Sequence, residues 1–170
     1  GSEGHRPAGP ARGQRSIALY DLDRRRVVRR LDLPGIDDMR HPAYFPDGRS
    51  IVFSATAGPA SDLYRVDIET GELVRLTDDP YTAIQPAVSP DGRRIAFVTD
   101  RGPGTDIGRL AFGNLRIALL DLPTGEIDVL PLFERGKHID PRFSPDGASL
   151  YFIAEPDGVP DVFRYELGTG

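Results

Sequence analysis

Three near-identical turns punctuate the chain: Phe45-Pro46-Asp47-Gly48, Ser89-Pro90-Asp91-Gly92 and Ser144-Pro145-Asp146-Gly147. Each is preceded by a second proline (Pro42, Pro86, Pro141) and followed by an apolar alternating run. A repeat of this kind constrains architecture before composition does, because each unit is one supersecondary element that must bury its apolar surface against its neighbours. The turn prolines fall 44 and then 55 residues apart, so the second unit carries an insertion.

The turn chemistry sets the local structure. Proline presets φ, aspartate accepts local hydrogen bonds and glycine supplies backbone freedom, so Pro-Asp-Gly reverses the chain tightly between two strands. The strand after each turn has period two, which places Ile51 and Phe53, Ile95 and Phe97, and Leu150 and Phe152 on one core face. A third strand type occurs four times, with columns Ile17/Leu63/Ile117/Val162, Leu19/Arg65/Leu119/Arg164 and Tyr20/Val66/Leu120/Tyr165, closed by Asp21, Asp67, Asp121 and Glu166. Thr70-Gly71-Glu72 and Thr124-Gly125-Glu126 then turn into a fourth strand ending at Leu31, Leu76 and Leu130. These alignments predict thirteen strands, and no stretch combines a helical period with caps.

Residues 86–101, Pro-Ala-Val-Ser-Pro-Asp-Gly-Arg-Arg-Ile-Ala-Phe-Val-Thr-Asp-Arg, resemble the repeat of TolB-type bacterial β-propellers, which is related to the WD-type repeat and to the propellers of prolyl-oligopeptidase-like peptidases. The resemblance runs over residues 16–170. It implies an all-β fold, a β-propeller segment of four-stranded antiparallel blades, about three and a quarter of them. The blades are expected at 16–34 (partial), 41–79, 85–131 and 140–170 (partial), after a flexible leader at 1–15 whose Gly1-Ser2 resembles a cloning remnant. Glu166-Leu167-Gly168-Thr169-Gly170 repeats the turn Asp67-Ile68-Glu69-Thr70-Gly71, so the repeat is expected to continue. The chain departs from the family pattern in the insertion 102–114, in Phe45 before the turn proline, and in Arg142 where Ala43 and Ala87 stand.

Composition narrows the partners. The net charge of −5 is unevenly spread: residues 1–40 hold 9 Arg against 6 Asp/Glu, and the remainder 12 Lys/Arg against 20 Asp/Glu. An acidic repeat body argues against a nucleic-acid partner. The Arg24–Arg30 cluster falls on an outer strand, where charge also blocks edge-to-edge pairing. No apolar run approaches the roughly 18 residues of a membrane helix, so no direct membrane insertion is expected. There is no cysteine, hence no disulfide or thiolate site.

The search for chemistry is mostly negative. Neither a Gly-x-Ser-x-Gly elbow nor His-Glu-x-x-His, a phosphate loop or an EF-hand loop occurs, and Gly102-Pro103-Gly104 with Gly108 has the wrong spacing for a dinucleotide fingerprint. No cofactor is expected. The aspartates of the turns and strand ends recur in every unit, as structural residues do, whereas a catalytic pair is needed once. His5 lies in the leader. His41, Gln85, His138 and Asp140 enter the innermost strands and are expected to crowd one rim of the central opening, as a polar site that holds a metal or a peptide end of a partner, or simply as a rim facing solvent and neighbouring loops. The insertion, with Leu110, Ala111 and Phe112, is a candidate interface loop because it is unique to one unit and apolar.

The resemblance implies a non-catalytic scaffold that binds a protein or peptide in the bacterial periplasm or cell envelope. The alternative is an accessory propeller of a peptidase, serine or zinc, whose catalytic residues lie elsewhere. A metal-dependent enzyme using the rim residues is a third class, with no diagnostic ligand spacing. Because closure removes sheet edges, a partial ring must be completed by further sequence, by self-association of two copies, or stay an open arc.

Overall fold

The structure, a computed structural model, describes residues 15–56 and 60–168. The expected leader, apart from Arg15, falls outside the described residues, as do His5, Thr169 and Gly170. Among the described residues thirteen strands form four antiparallel sheets. β1 (Arg15–Asp21) pairs with β2 (Arg26–Leu33). The second sheet is a meander of β3 (Asp38–Tyr44), β4 (Ser50–Thr56), β5 (Ser61–Asp67) and β6 (Leu73–Arg75). The third repeats it with β7 (Ala83–Val88), β8 (Arg94–Thr99), β9 (Arg116–Asp121) and β10 (Ile127–Val129), and the fourth holds β11 (His138–Phe143), β12 (Ser149–Ala154) and β13 (Asp161–Glu166). Among the described residues there is no α-helix, only a 3-10 turn at Ile107–Arg109. The fold is all-β, a segment of a β-propeller, as the repeat leads one to expect.

The Pro-Asp-Gly turns are built alike. Gly48, Gly92 and Gly147 have φ of 68°, 70° and 71°, and their amides donate to the carbonyls of Phe45, Ser89 and Ser144 at 2.9, 2.8 and 2.9 Å. Oδ1 of Asp47, Asp91 and Asp146 accepts from the amides of Arg49, Arg93 and Ala148 at 2.9, 3.0 and 3.0 Å. Successive turns also stack, since a Cβ on Gly147 would lie 3.4 Å from Pro90 Cδ and one on Gly92 3.7 Å from Pro46 Cδ. The unusual Phe45 is explained by packing: it is buried between the second and third sheets, where Ser89 and Ser144 instead donate to their turn aspartates.

The core lies between the sheets, in three layers. Leu31, Leu33, Ile51, Phe53 and Val66 join the first sheet to the second; Val52, Leu63, Ile95, Phe97 and Leu120 join the second to the third; Ala96, Ile117, Leu130, Leu150 and Phe152 join the third to the fourth. The core face expected from period two, Ile51/Phe53, Ile95/Phe97 and Leu150/Phe152, is therefore the face each sheet turns to its predecessor. In the two middle sheets the opposite face is buried as well, with Val52, Ala96 and Val98 fully covered. A strand flanked by sheets on both sides reads as a continuous apolar run rather than as an alternation.

Candidate functional site

The first strands of successive sheets, β3, β7 and β11, lie side by side and form the inner wall. Each breaks register at the same place, between Arg40 and Ala43, Ile84 and Ala87, and Ile139 and Arg142. At each break one non-glycine residue has left-handed backbone: His41 at φ 54°, Gln85 at 53° and Asp140 at 51°. Each also precedes a proline, a position that disfavours helical backbone. Such geometry costs on the order of 1 kcal/mol or more per residue and persists only where the surroundings impose it. The bulge bends the inner strand and re-aims the side chain that occupies it.

Three of the four expected rim residues occupy these bulges. Asp140 N donates to Gln85 Oε1 at 3.0 Å, which ties the third and fourth sheets together across the inner wall. His41 is exposed, with Nδ1 3.3 Å from Ser54 Oγ. Ser54 Oγ donates to the Arg40 carbonyl at 3.0 Å, so the His41 Nδ1–H donates to Ser54 and Nε2 is left for solvent or a ligand. Beside His41 a cleft of about 360 Å³ opens between the second and third sheets, lined by Asp38, Arg40, Ser54, Thr82 and Ile84. The Arg40 guanidinium, 2.8 Å from Asp38, holds that carboxyl below the usual carboxylate range. Among the described residues, no three His, Asp or Glu side chains converge as metal ligands.

His138 does not line the rim, and this corrects the expectation. It shares a register position with Met39 and Ala83, two residues before the bulge, and is 1% exposed. Its ring stacks on Phe133 at 6.0 Å and tilts against Phe152 at 5.9 Å. Nδ1 lies 3.2 Å from the Leu115 carbonyl and Nε2 is buried without a partner. Burial pushes the imidazole pKa down. Period two would put residues 138 and 140 on one face; the left-handed bulge at 140 breaks that alternation between them. The X-Pro pair inside each inner strand was the signal for the bulge, since proline in a strand marks an irregularity.

The insertion is an ordered loop rather than a slack one. Asp106 accepts from Arg109 N at 3.1 Å and bridges to Ala111, while Thr105 Oγ1 accepts from Gly113 N at 2.9 Å and donates to the Asp100 carbonyl. A Cβ on Gly113 would lie 2.9 Å from the Pro103 carbonyl oxygen, so the loop closes tightly on itself. It holds Leu110 at 74% and Phe112 at 65% exposure.

The recurring acids are committed to the fold. Asp67 accepts from Glu69 N, Thr70 N and Thr70 Oγ1, and Asp121 from Thr124 N and Oγ1. Asp62 is buried and accepts from Thr77 Oγ1 at 2.9 Å and from the exposed Arg75 at 2.5 Å, and Asp161 stays exposed.

No family model and no curated protein matches the chain. Solved structures do. TolB from Acinetobacter baumannii aligns with a TM-score of 0.68 at 23% identity, over 91% of this chain and 36% of that one. A TolB-type structure from Agrobacterium tumefaciens gives 0.65 at 21%, over 81% and 46%. A prolyl endopeptidase gives 0.55 at 21%, over 79% of this chain and 21% of the peptidase. At these identities the likeness establishes the propeller fold, of the kind seen in TolB and in peptidase propellers, and the chain spans less than half the length of each.

Proposed function

We propose that this chain is a non-catalytic propeller scaffold that binds a protein or peptide partner in the bacterial cell envelope, on the periplasmic side. The supporting observation is the bulge repeated on the inner wall. Its backbone is constant, yet its side chain is His41, Gln85 or Asp140, so the architecture presents a polar residue at each step while leaving the residue type free for recognition. The exposed Leu110 and Phe112, held by an ordered loop, supply a second contact of the apolar kind that interfaces use. The likeness to TolB favours the envelope setting, and no helix among the described residues is long and apolar enough to cross a membrane.

The test is photocrosslinking from position 41 and from position 112 in the periplasm, followed by binding of the purified captured protein. A partner whose affinity falls at least tenfold on His41→Ala combined with Gln85→Ala supports the reading. Capture no greater than from an outer-strand position such as Arg26 rejects it. A second reading, the accessory propeller of a peptidase, is favoured by the prolyl endopeptidase likeness. A Gly-x-Ser-x-Gly or His-Glu-x-x-His motif in the flanking coding sequence, with peptide hydrolysis by the full product, would establish that reading instead.

A further inference from the structure

Successive sheets are joined differently across the inner wall. At the step from the third sheet to the fourth, two amides of β11 reach back: His138 N donates to the Leu115 carbonyl at 2.9 Å and Asp140 N to Gln85 Oε1 at 3.0 Å. The bulge amide is thus held by the carboxamide of the bulge residue one sheet earlier. The step from the second sheet to the third has the same backbone, since Gln85 and Asp140 have φ of 53° and 51° and their strands break register at the same place. The Gln85 amide therefore faces the second sheet, where His41 stands in the position of Gln85. Among the described residues His41 makes no corresponding bond; its imidazole folds back onto its own sheet, with Nδ1 3.3 Å from Ser54 Oγ.

A cleft takes the place of that bridge. It is the cleft of about 360 Å³ beside His41, and it is lined by Ile84, whose carbonyl shares a peptide unit with the Gln85 amide, together with Arg40, Ser54 and Thr82. Both flanking sheets have all four strands, so the cleft lies between complete blades in the middle of the chain. The groups on its two sides are of opposite sense. The Gln85 N–H is a donor, whereas His41 Nε2, with the ring proton on Nδ1, is an acceptor. Arg40 and Asp38 pair at 2.8 Å and cancel each other's charge. A neutral group that accepts on one side and donates on the other meets these demands, and a primary carboxamide is such a group. A carboxylate offers no donor to Nε2.

We infer that this cleft is a recognition pocket for a glutamine side chain of a partner peptide, whose carboxamide accepts from the Gln85 amide and donates to His41 Nε2. The internal precedent is Gln85 itself, whose own carboxamide oxygen fills the equivalent position one sheet further on. The inference rests on the scaffold reading above for the source of the peptide, and deepens it by naming the chemical group read at one step of the inner wall. It also gives the variation among the bulge residues a consequence. A bulge side chain that bridges to the next sheet closes its step, and one that folds back leaves the step open to a ligand.

The probes are capped tripeptides, acetyl-Ala-X-Ala-N-methylamide with X as Gln, Glu or Ala, added to the intact 170-residue protein and followed by NMR. The Gln peptide is expected to bind saturably and to move the Gln85 amide and His41 ring resonances; the Glu and Ala peptides should bind at least tenfold more weakly. His41→Gln places the precedent's side chain at this step, so exchange of the Gln85 amide should slow at least tenfold without peptide and the Gln peptide should no longer bind. Absence of saturable binding, shifts confined to other residues, equal binding of the Glu or Ala peptide, or unchanged Gln85 exchange in His41→Gln would each overturn the inference. A partner captured from position 41 without binding of the Gln peptide would remove only the carboxamide assignment, whereas binding of the Gln peptide with no captured partner would remove the scaffold reading and leave the pocket.

Discussion

The three strands of the fourth sheet repeat the first three of the third, yet equivalent residues live in different surroundings. Ile117 in β9 is fully buried, whereas Val162, at the same position in β13, is 72% exposed. Ala87 is buried and Arg142 exposed; Ala96 is buried and Tyr151 is 40% exposed. The faces turned to the preceding sheet do not differ in this way, since Phe97 and Phe152 are both buried. Burial in this fold is thus assigned by the neighbouring sheet and not by the residue. A strand of this repeat acquires two core faces only when it is flanked on both sides.

That contrast can be tested from its strongest consequence downward. Phe97→Ala and Phe152→Ala remove equivalent side chains from layers covered in both sheets, and each should cost about 3–5 kcal/mol in urea unfolding. A loss under about 1 kcal/mol at Phe97 would break the assignment of the face. His138, on the covered face of β11, sets a pH dependence. Its folded pKa is depressed, so the unfolded state binds more protons, and stability present above about pH 6.5 should fall on acidification by at most about 1.4 kcal/mol per pH unit. His138→Leu should flatten that slope between pH 7 and 5. Asp67, Asp91 and Asp146, held low by hydrogen bonds from Thr70, Ser89 and Ser144, act in a separate window, as pH falls through and below about 4.

Smaller effects are expected where no sheet covers the residue. His41→Gly should stabilise the chain by about 0.5–1 kcal/mol, because relief of left-handed backbone worth about 1–2 kcal/mol outweighs the entropy that glycine adds to the unfolded state. A destabilisation would mean that the bond to Ser54 matters more than the strain. Leu110→Ser with Phe112→Ser should leave unfolding within about 0.5 kcal/mol of the parent while weakening partner binding.

Turn chemistry and period two made the fold legible: Pro46, Pro90 and Pro145 located the reversals, and Phe53, Phe97 and Phe152 located one face of the core. Two things escaped that reasoning. Double-sided burial of Val52 and Ala96 depends on neighbours that no local window contains. The bulge at His41, Gln85 and Asp140 interrupts the alternation, so His138, read as a rim residue, is instead packed between Phe133 and Phe152. The polar character of the inner wall could be read from residue types, but the direction of each side chain could not.

The most direct test of neighbour-assigned burial is the unfolding free energy of Ile117→Ala beside that of Val162→Ala. The account expects a loss of about 2–4 kcal/mol for the first and under about 0.5 kcal/mol for the second. Equal losses at the two positions would contradict it.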